Sequence, residues 1–153
     1  MSIEDAPNFR RMSDLVTTSG LVTEDQLRGL ADTGYEVVVN LLPDDSEHAL
    51  RDEARIVESS GLEYVHIPVD FAAPSRADLE RYVEVMDAND GRTMHVHCAA
   101  NARVSAFYAM YVRRTGRCSA AEAEAIVRDV WDPSDNPAWR ELLTTELDPH
   151  RPD

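Results

Sequence analysis

Residues 93–105 read TMHVHCAANARVS. The first five, 93–97, are short, largely apolar and β-branched, and they predict a buried strand. Cys98 follows at the carboxyl end of that strand, and an apolar helix is predicted over 104–114, stopped by Gly116. Strand, tight loop and helix in that order form the unit of α/β architecture, whose ligand sites lie outside the carboxyl ends of the strands. The small side chains of Ala99, Ala100 and Ala102 let the backbone N–H groups turn inward as an anion-binding nest. The helix start adds partial positive charge. Asn101 suits a left-handed backbone position, and Arg103 can close the ring with a planar, bidentate donor. The same potential favours the thiolate of Cys98. An oxyanion cradle around a thiolate suits covalent catalysis on a phosphoryl or a sulfur-bearing group.

Outward from this segment, strands and helices alternate. Residues 1–13 are polar and read as irregular, and a strand is expected over 15–18. Thr23 with Gln26 forms a capping box for a helix to about Asp32, closed by Gly34. YEVVVNLL (35–42) reads as a central strand, 43–46 as a turn, and 47–59 as an amphipathic helix stopped by Gly61. LEYVHIPV (62–69) is a further strand, weakened near its end by Pro68. Ser75 caps a helix to about Asp87. Ser119 with Glu122 opens a helix to about Val130, and Asn136-Pro137 opens a last one to about Leu147. The expected fold is α/β: one domain over 1–153, a central, mostly parallel sheet of four to five strands flanked by helices, and a helical C-terminal part over 116–153.

Composition narrows the function. With 29 acidic and 15 basic residues the 153-residue chain carries a net charge of −14, and every one of its basic residues counted there is arginine. Such a field repels nucleic acid and anionic membranes, so neither is an expected partner. Two cysteines, Cys98 and Cys118, make no disulfide framework, and no apolar run is long enough to span a bilayer. The N-terminal residues carry neither a basic nor an apolar leader pattern. The expectation is a reduced, cytoplasmic protein.

The segments NFRRMSDLVTTSGLVTEDQL (8–27), VVVNLLPDDSE (37–47), LEYVHIPVD (62–70) and HCAANARVSA (97–106) resemble the cysteine-dependent protein tyrosine and dual-specificity phosphatases. Within that group the chain is most similar to the phosphatase-like domain of the beta-lactamase-hydrolase-like proteins, over residues 8–115. The resemblance implies a phosphatase fold and a phosphomonoester hydrolase, acting on a phosphorylated protein or a small molecule without metal or cofactor. It also implies roles: Cys98 as nucleophile, Arg103 and the amides of Ala99, Ala100, Asn101, Ala102 and Arg103 as phosphate ligands. Ser105 eases departure of the sulfur, His97 orients the loop and supports the thiolate, and Asp70 is the general acid. Four residues rather than five separate Cys98 from Arg103, and Asn101 replaces the usual loop glycine. That spacing is shared by the beta-lactamase-hydrolase-like group and equals the loop length of rhodanese-type sulfurtransferases. Sulfur transfer through a persulfide and silent oxyanion binding therefore stand as rival functions.

Blander readings accompany these residues. Cys98 reads also as a buried structural thiol and Arg103 as a surface ion-pair partner. Asp44, Asp45 and Asp78 compete with Asp70 as acids at loop or helix edges. His95, His97 and Cys98 form a short zinc-like cluster without a second ligand pair. His48 and His66 read as solvated or structural, Cys118 as inert, and Trp131 and Trp139, assigned to the last two helices, as core. Arg10 and Arg11 read as surface residues.

Overall fold

Val37, Val38 and Val39 have no exposed surface, nor does Val96. Continuous apolar burial of this kind is the mark of parallel strands covered on both faces. The computed structural model describes residues 2–148; Met1 and the end of the expected 1–153 domain, residues 149–153, lie outside the described residues. Five strands, β1 (Arg10–Arg11), β2 (Val16–Ser19), β3 (Val37–Asn40), β4 (Glu63–His66) and β5 (Met94–His97), lie side by side in the order β1-β2-β5-β3-β4. All neighbours are parallel except β1, which runs antiparallel to β2. β5, the strand that leads into Cys98, is the middle one.

Alternation along these strands divides the molecule into layers. Val37, Val39, Met94, Val96 and Cys98 face a core shared with α3 (Arg76–Ala88), α4 (Ala102–Arg114), α5 (Ala120–Arg128) and α6 (Pro137–Glu146). Trp139, Tyr82, Tyr111 and Phe107 fill this side. Val38 faces the opposite layer, with Leu27 and Leu30 of α1 (Glu24–Leu30) and Ile56 and Val57 of α2 (Glu53–Ser59). His95 and His97 stand one residue out of phase with Met94 and Val96, so they point to the α1/α2 side while Cys98 points to the other. Helix α4 is the central column: every residue from Val104 to Val112 is buried.

The α/β class, the mostly parallel sheet and the helical C-terminal part are all present. Both expected capping boxes form, Thr23 with Gln26 and Ser119 with Glu122. Several bounds differ from expectation, each for a local reason. The helix expected over 47–59 begins only at Glu53. His48 N donates to Ser46 Oγ and Ala49 N to Ser46 O, so the turn runs on, and Asp52 is left-handed at φ 58°. β3 stops at Asn40, whose side chain takes the Leu42 amide out of the ladder. Residues 1–13 are not wholly irregular. A 3-10 turn covers Ile3–Asp5, and β1 pairs with β2 through a hairpin closed by Met12 N and Ser13 N on Val16 O. Two residues are too few to show a period of two. Helix α4 starts at Ala102, two residues before the expected 104, and Trp131 lies beyond the end of α5 and outside any helix. Asn136 precedes α6 without a side-chain capping bond.

Candidate active site

The β5–α4 loop is the candidate centre of the chemistry, and its conformation follows from its sequence. Asn101 adopts φ 67°, the left-handed conformation expected of it, and its carbonyl accepts the Ser105 amide, which starts α4. Among the described residues, the amides of Ala99, Ala100, Ala102 and Arg103 donate no well-formed hydrogen bond to a protein acceptor. Small side chains leave these groups open, as a nest requires. Cys98, at the loop's origin, has no exposed surface.

Three contacts hold the loop. Asn8, itself at φ 52°, donates from Nδ2 to Ala100 O at 3.0 Å, while Asn101 Nδ2 donates to Asn8 O at 2.8 Å and to Thr18 Oγ1 at 2.9 Å. Gly20 abuts the loop so closely that an added Cβ would sit 2.6 Å from Ala99 O. On the far side, Arg103 Nε donates to Val69 O at 2.9 Å, and its guanidinium lies 5.2 Å from the centre of the Phe71 ring. These are the Arg103 contacts; no carboxylate pairs with it among the described residues. An arginine fixed by a carbonyl and an aromatic face, with its terminal nitrogens uncommitted, is ready for an anion.

Arg103 and Asp70 line one open cleft of about 610 Å³ together with Pro43, Asp45, Ser46, Pro68, Phe71 and Ala72. The carboxyl ends of β3, β4 and β5 thus converge as α/β topology dictates. Asp70 is exposed, and its Oδ1 accepts the Ala72 amide at 2.9 Å. The loop it sits on is pinned from the C-terminal part: Trp139 Nε1 donates to Phe71 O at 2.8 Å, and the Phe71 ring packs on both Trp131 and Trp139. Among the competing acids only Asp45 lines the cleft; Asp44 lies 3.9 Å from His66 Nδ1, and Asp78 sits in the first turn of α3, its amide donating to the capping Ser75 Oγ.

The remaining expected residues lie behind the loop. Ser105 is buried and its hydroxyl donates to Ala102 O at 3.1 Å. His97 is buried against Glu53, with Nε2 2.6 Å from Glu53 Oε2, on the sheet face opposite Cys98. His95 is held between Thr17 Oγ1 and Ser19 Oγ, each at 2.8 Å, and burial together with nearby His97 pushes its pKa well below the usual histidine value. Both histidines are engaged by protein groups, and no cluster of three His, Cys, Asp or Glu side chains suited to a metal occurs among the described residues. His66 donates from Nε2 to Leu42 O, His48 is exposed, and Arg10 pairs with Asp129 at the surface. Burial raises the Cys118 thiol above its ordinary value, with Glu122 adding to the effect, so it stays protonated. Sequence reading missed Asn8, Gly20 and Glu53. Asn8 opened the segment 8–27 without a role of its own, and nothing local marks Glu53 as buried.

A mostly parallel five-stranded sheet flanked by helices matches the fold of the tyrosine and dual-specificity phosphatases. The family described as DSP-PTPase phosphatase fused to NAD+ kinase matches residues 4–139, and the chain belongs to that family. A candidate phosphatase of the DUF442 group from Shewanella putrefaciens CN-32 is similar at 34% identity, over 94% of this chain and 93% of that one, with a TM-score of 0.86. Tk-PTP in its active form shares the fold at 22% identity, covering 95% and 99% of the two chains, with a TM-score of 0.75. PTPMT1, solved in complex with PI(5)P, does so at 20% identity over 90% and 96%, with a TM-score of 0.71. No curated protein matches the chain.

Proposed function

We propose that the chain hydrolyses phosphomonoesters through a cysteinyl-phosphate intermediate. The Cys98 thiolate attacks phosphorus, the bond from phosphorus to the ester oxygen breaks, and Asp70 gives its proton to the departing oxygen. Water then attacks the phosphocysteine. Asp70, now a carboxylate, takes the water's proton, the phosphorus–sulfur bond breaks, and inorganic phosphate leaves as the thiolate is restored. Arg103 and the amides of residues 99–103 hold the three non-bridging oxygens in their equatorial positions in the transition state. His97, fixed by Glu53, orients the strand end that carries the nucleophile. Ser105 reaches the sulfur by turning its hydroxyl away from Ala102 O.

The observation that carries this reading is the uncommitted guanidinium of Arg103 beside open loop amides at the end of the Cys98 strand. The four-residue spacing suits a persulfide loop as well, but sulfur transfer has no use for a carboxyl at the cleft, and Asp70 and Asp45 both line it. Turnover of p-nitrophenyl phosphate tests the reading. It is expected to vanish in Cys98→Ser and to fall steeply in Asp70→Asn. Equal turnover by wild type and Cys98→Ser removes the covalent route. Thiocyanate production from thiosulfate and cyanide, without phosphate release, replaces it with sulfur transfer.

A further inference from the structure

The cleft is asymmetric in charge. Among the described residues its only basic lining residue is Arg103, and its rim carries Asp45 on the β3–α2 loop and Asp70 on the β4–α3 loop. No ion pair engages either aspartate among the described residues. The rest of the lining, Pro43, Ser46, Pro68, Phe71 and Ala72, is uncharged. One phosphoryl dianion therefore meets one guanidinium, while anything attached to it meets the Asp45 carboxylate and uncharged side chains. A second phosphate on the same substrate would find no further cation among these residues and would approach Asp45.

We infer that the site favours phosphomonoesters with positive charge beside the phosphoryl group, and that Asp45 sets this preference. The inference rests on the phosphatase reading above and adds the substrate class. A phosphotyrosine peptide with flanking arginines is a probe of the required chemistry, its flanking cations meeting Asp45. Asp70 is tied to proton transfer, so Asp45 is the residue through which specificity is separable from chemistry. Coulomb attraction at 5–8 Å across the wet rim is on the order of a factor of three per charge pair, so exchanging flanking cations for anions changes the rate by about tenfold at low salt.

The experiment compares kcat/KM for two phosphotyrosine peptides, one flanked by arginine and one by glutamate, and for an inositol bisphosphate. Expected are about a tenfold advantage for the arginine-flanked peptide at low salt, a decline of that advantage as salt is added, and poor use of the bisphosphate. Asp45→Arg is expected to abolish or invert the peptide ratio. Equal use of the two peptides, or a preference for the bisphosphate, overturns the inference while leaving the phosphatase reading intact. A ratio unchanged in Asp45→Arg overturns the role of that residue. If p-nitrophenyl phosphate is not turned over either, the underlying reading fails and the inference with it.

Discussion

Arg103 has two tasks that only a guanidinium performs together. Its Nε is spent on Val69 O and its face lies against Phe71, and this anchoring leaves the terminal nitrogens toward the cleft. Lysine offers a comparable charge but no planar fork and no second donor along its stem. Arg103→Lys is therefore expected to behave much like Arg103→Ala, losing on the order of a hundredfold in kcat/KM on p-nitrophenyl phosphate, with little change in melting temperature. Retention of more than a tenth of the activity by the lysine variant would show that charge alone suffices. The placement of Cys98 after β5 and of Arg103 in the first turn of α4 was legible because strand, tight loop and helix follow one another within residues 93–105. Glu53 was not: its side chain meets His97 across 44 positions, and a glutamate at a helix start looks solvated until the sheet brings a buried histidine against it.

At the scale of elements, the β5–α4 loop depends on β2 as much as on β5. Gly20 and Ala100 form an isolated bridge, Leu21 N donates to Ala99 O at 3.0 Å, and Gly20 N donates to Pro7 O at 2.7 Å. The Asn8–Asn101 exchange completes a clasp between the N-terminal segment and the loop. Gly20→Ala places a methyl carbon 2.6 Å from Ala99 O and 3.0 Å from Ala100 Cα, where only backbone can yield. The loop must shift, at a cost of about 1–3 kcal/mol. Expected are a few degrees' loss in melting temperature and a much larger fractional loss of kcat; unchanged kcat would mean that the cradle tolerates displacement. The elements themselves were readable where periodicity and caps coincide, as in α1, α3 and α5. The N-terminal strand was not, because its pairing is set by the hairpin onto β2 and leaves no alternation in two arginines. The β3–α2 connection misled because the polar stretch from Glu47 to Asp52 resembles a helix's exposed face, while Ser46 prolongs the turn.

For the molecule as a whole, the middle of the sheet carries a titratable group that must stay neutral. Ser19 Oγ donates its proton to Gly20 O, so it accepts from His95 Nε2–H. His95 Nδ1 then accepts from Thr17 Oγ1, which in turn accepts from the Tyr35 hydroxyl. In this arrangement both ring nitrogens of a neutral His95 are satisfied. Burial and the neighbouring His97 act the same way, lowering its pKa well below 6.5. The unfolded chain, by contrast, protonates this histidine as pH falls through about 6.5. Below that value the unfolded state holds one more proton than the native state at this site, so stability rises with pH up to about 6.5 and is lost on acidification. The slope from this one group is at most about 1.4 kcal/mol per pH unit. Urea denaturation at pH 7.5, 6.5 and 5.5 is expected to show that extra slope in wild type and not in His95→Gln, which keeps a polar side chain but removes the proton site. The difference should appear only below about pH 6.5, and parallel profiles for the two proteins there would mean that the native sheet accommodates an imidazolium at its centre.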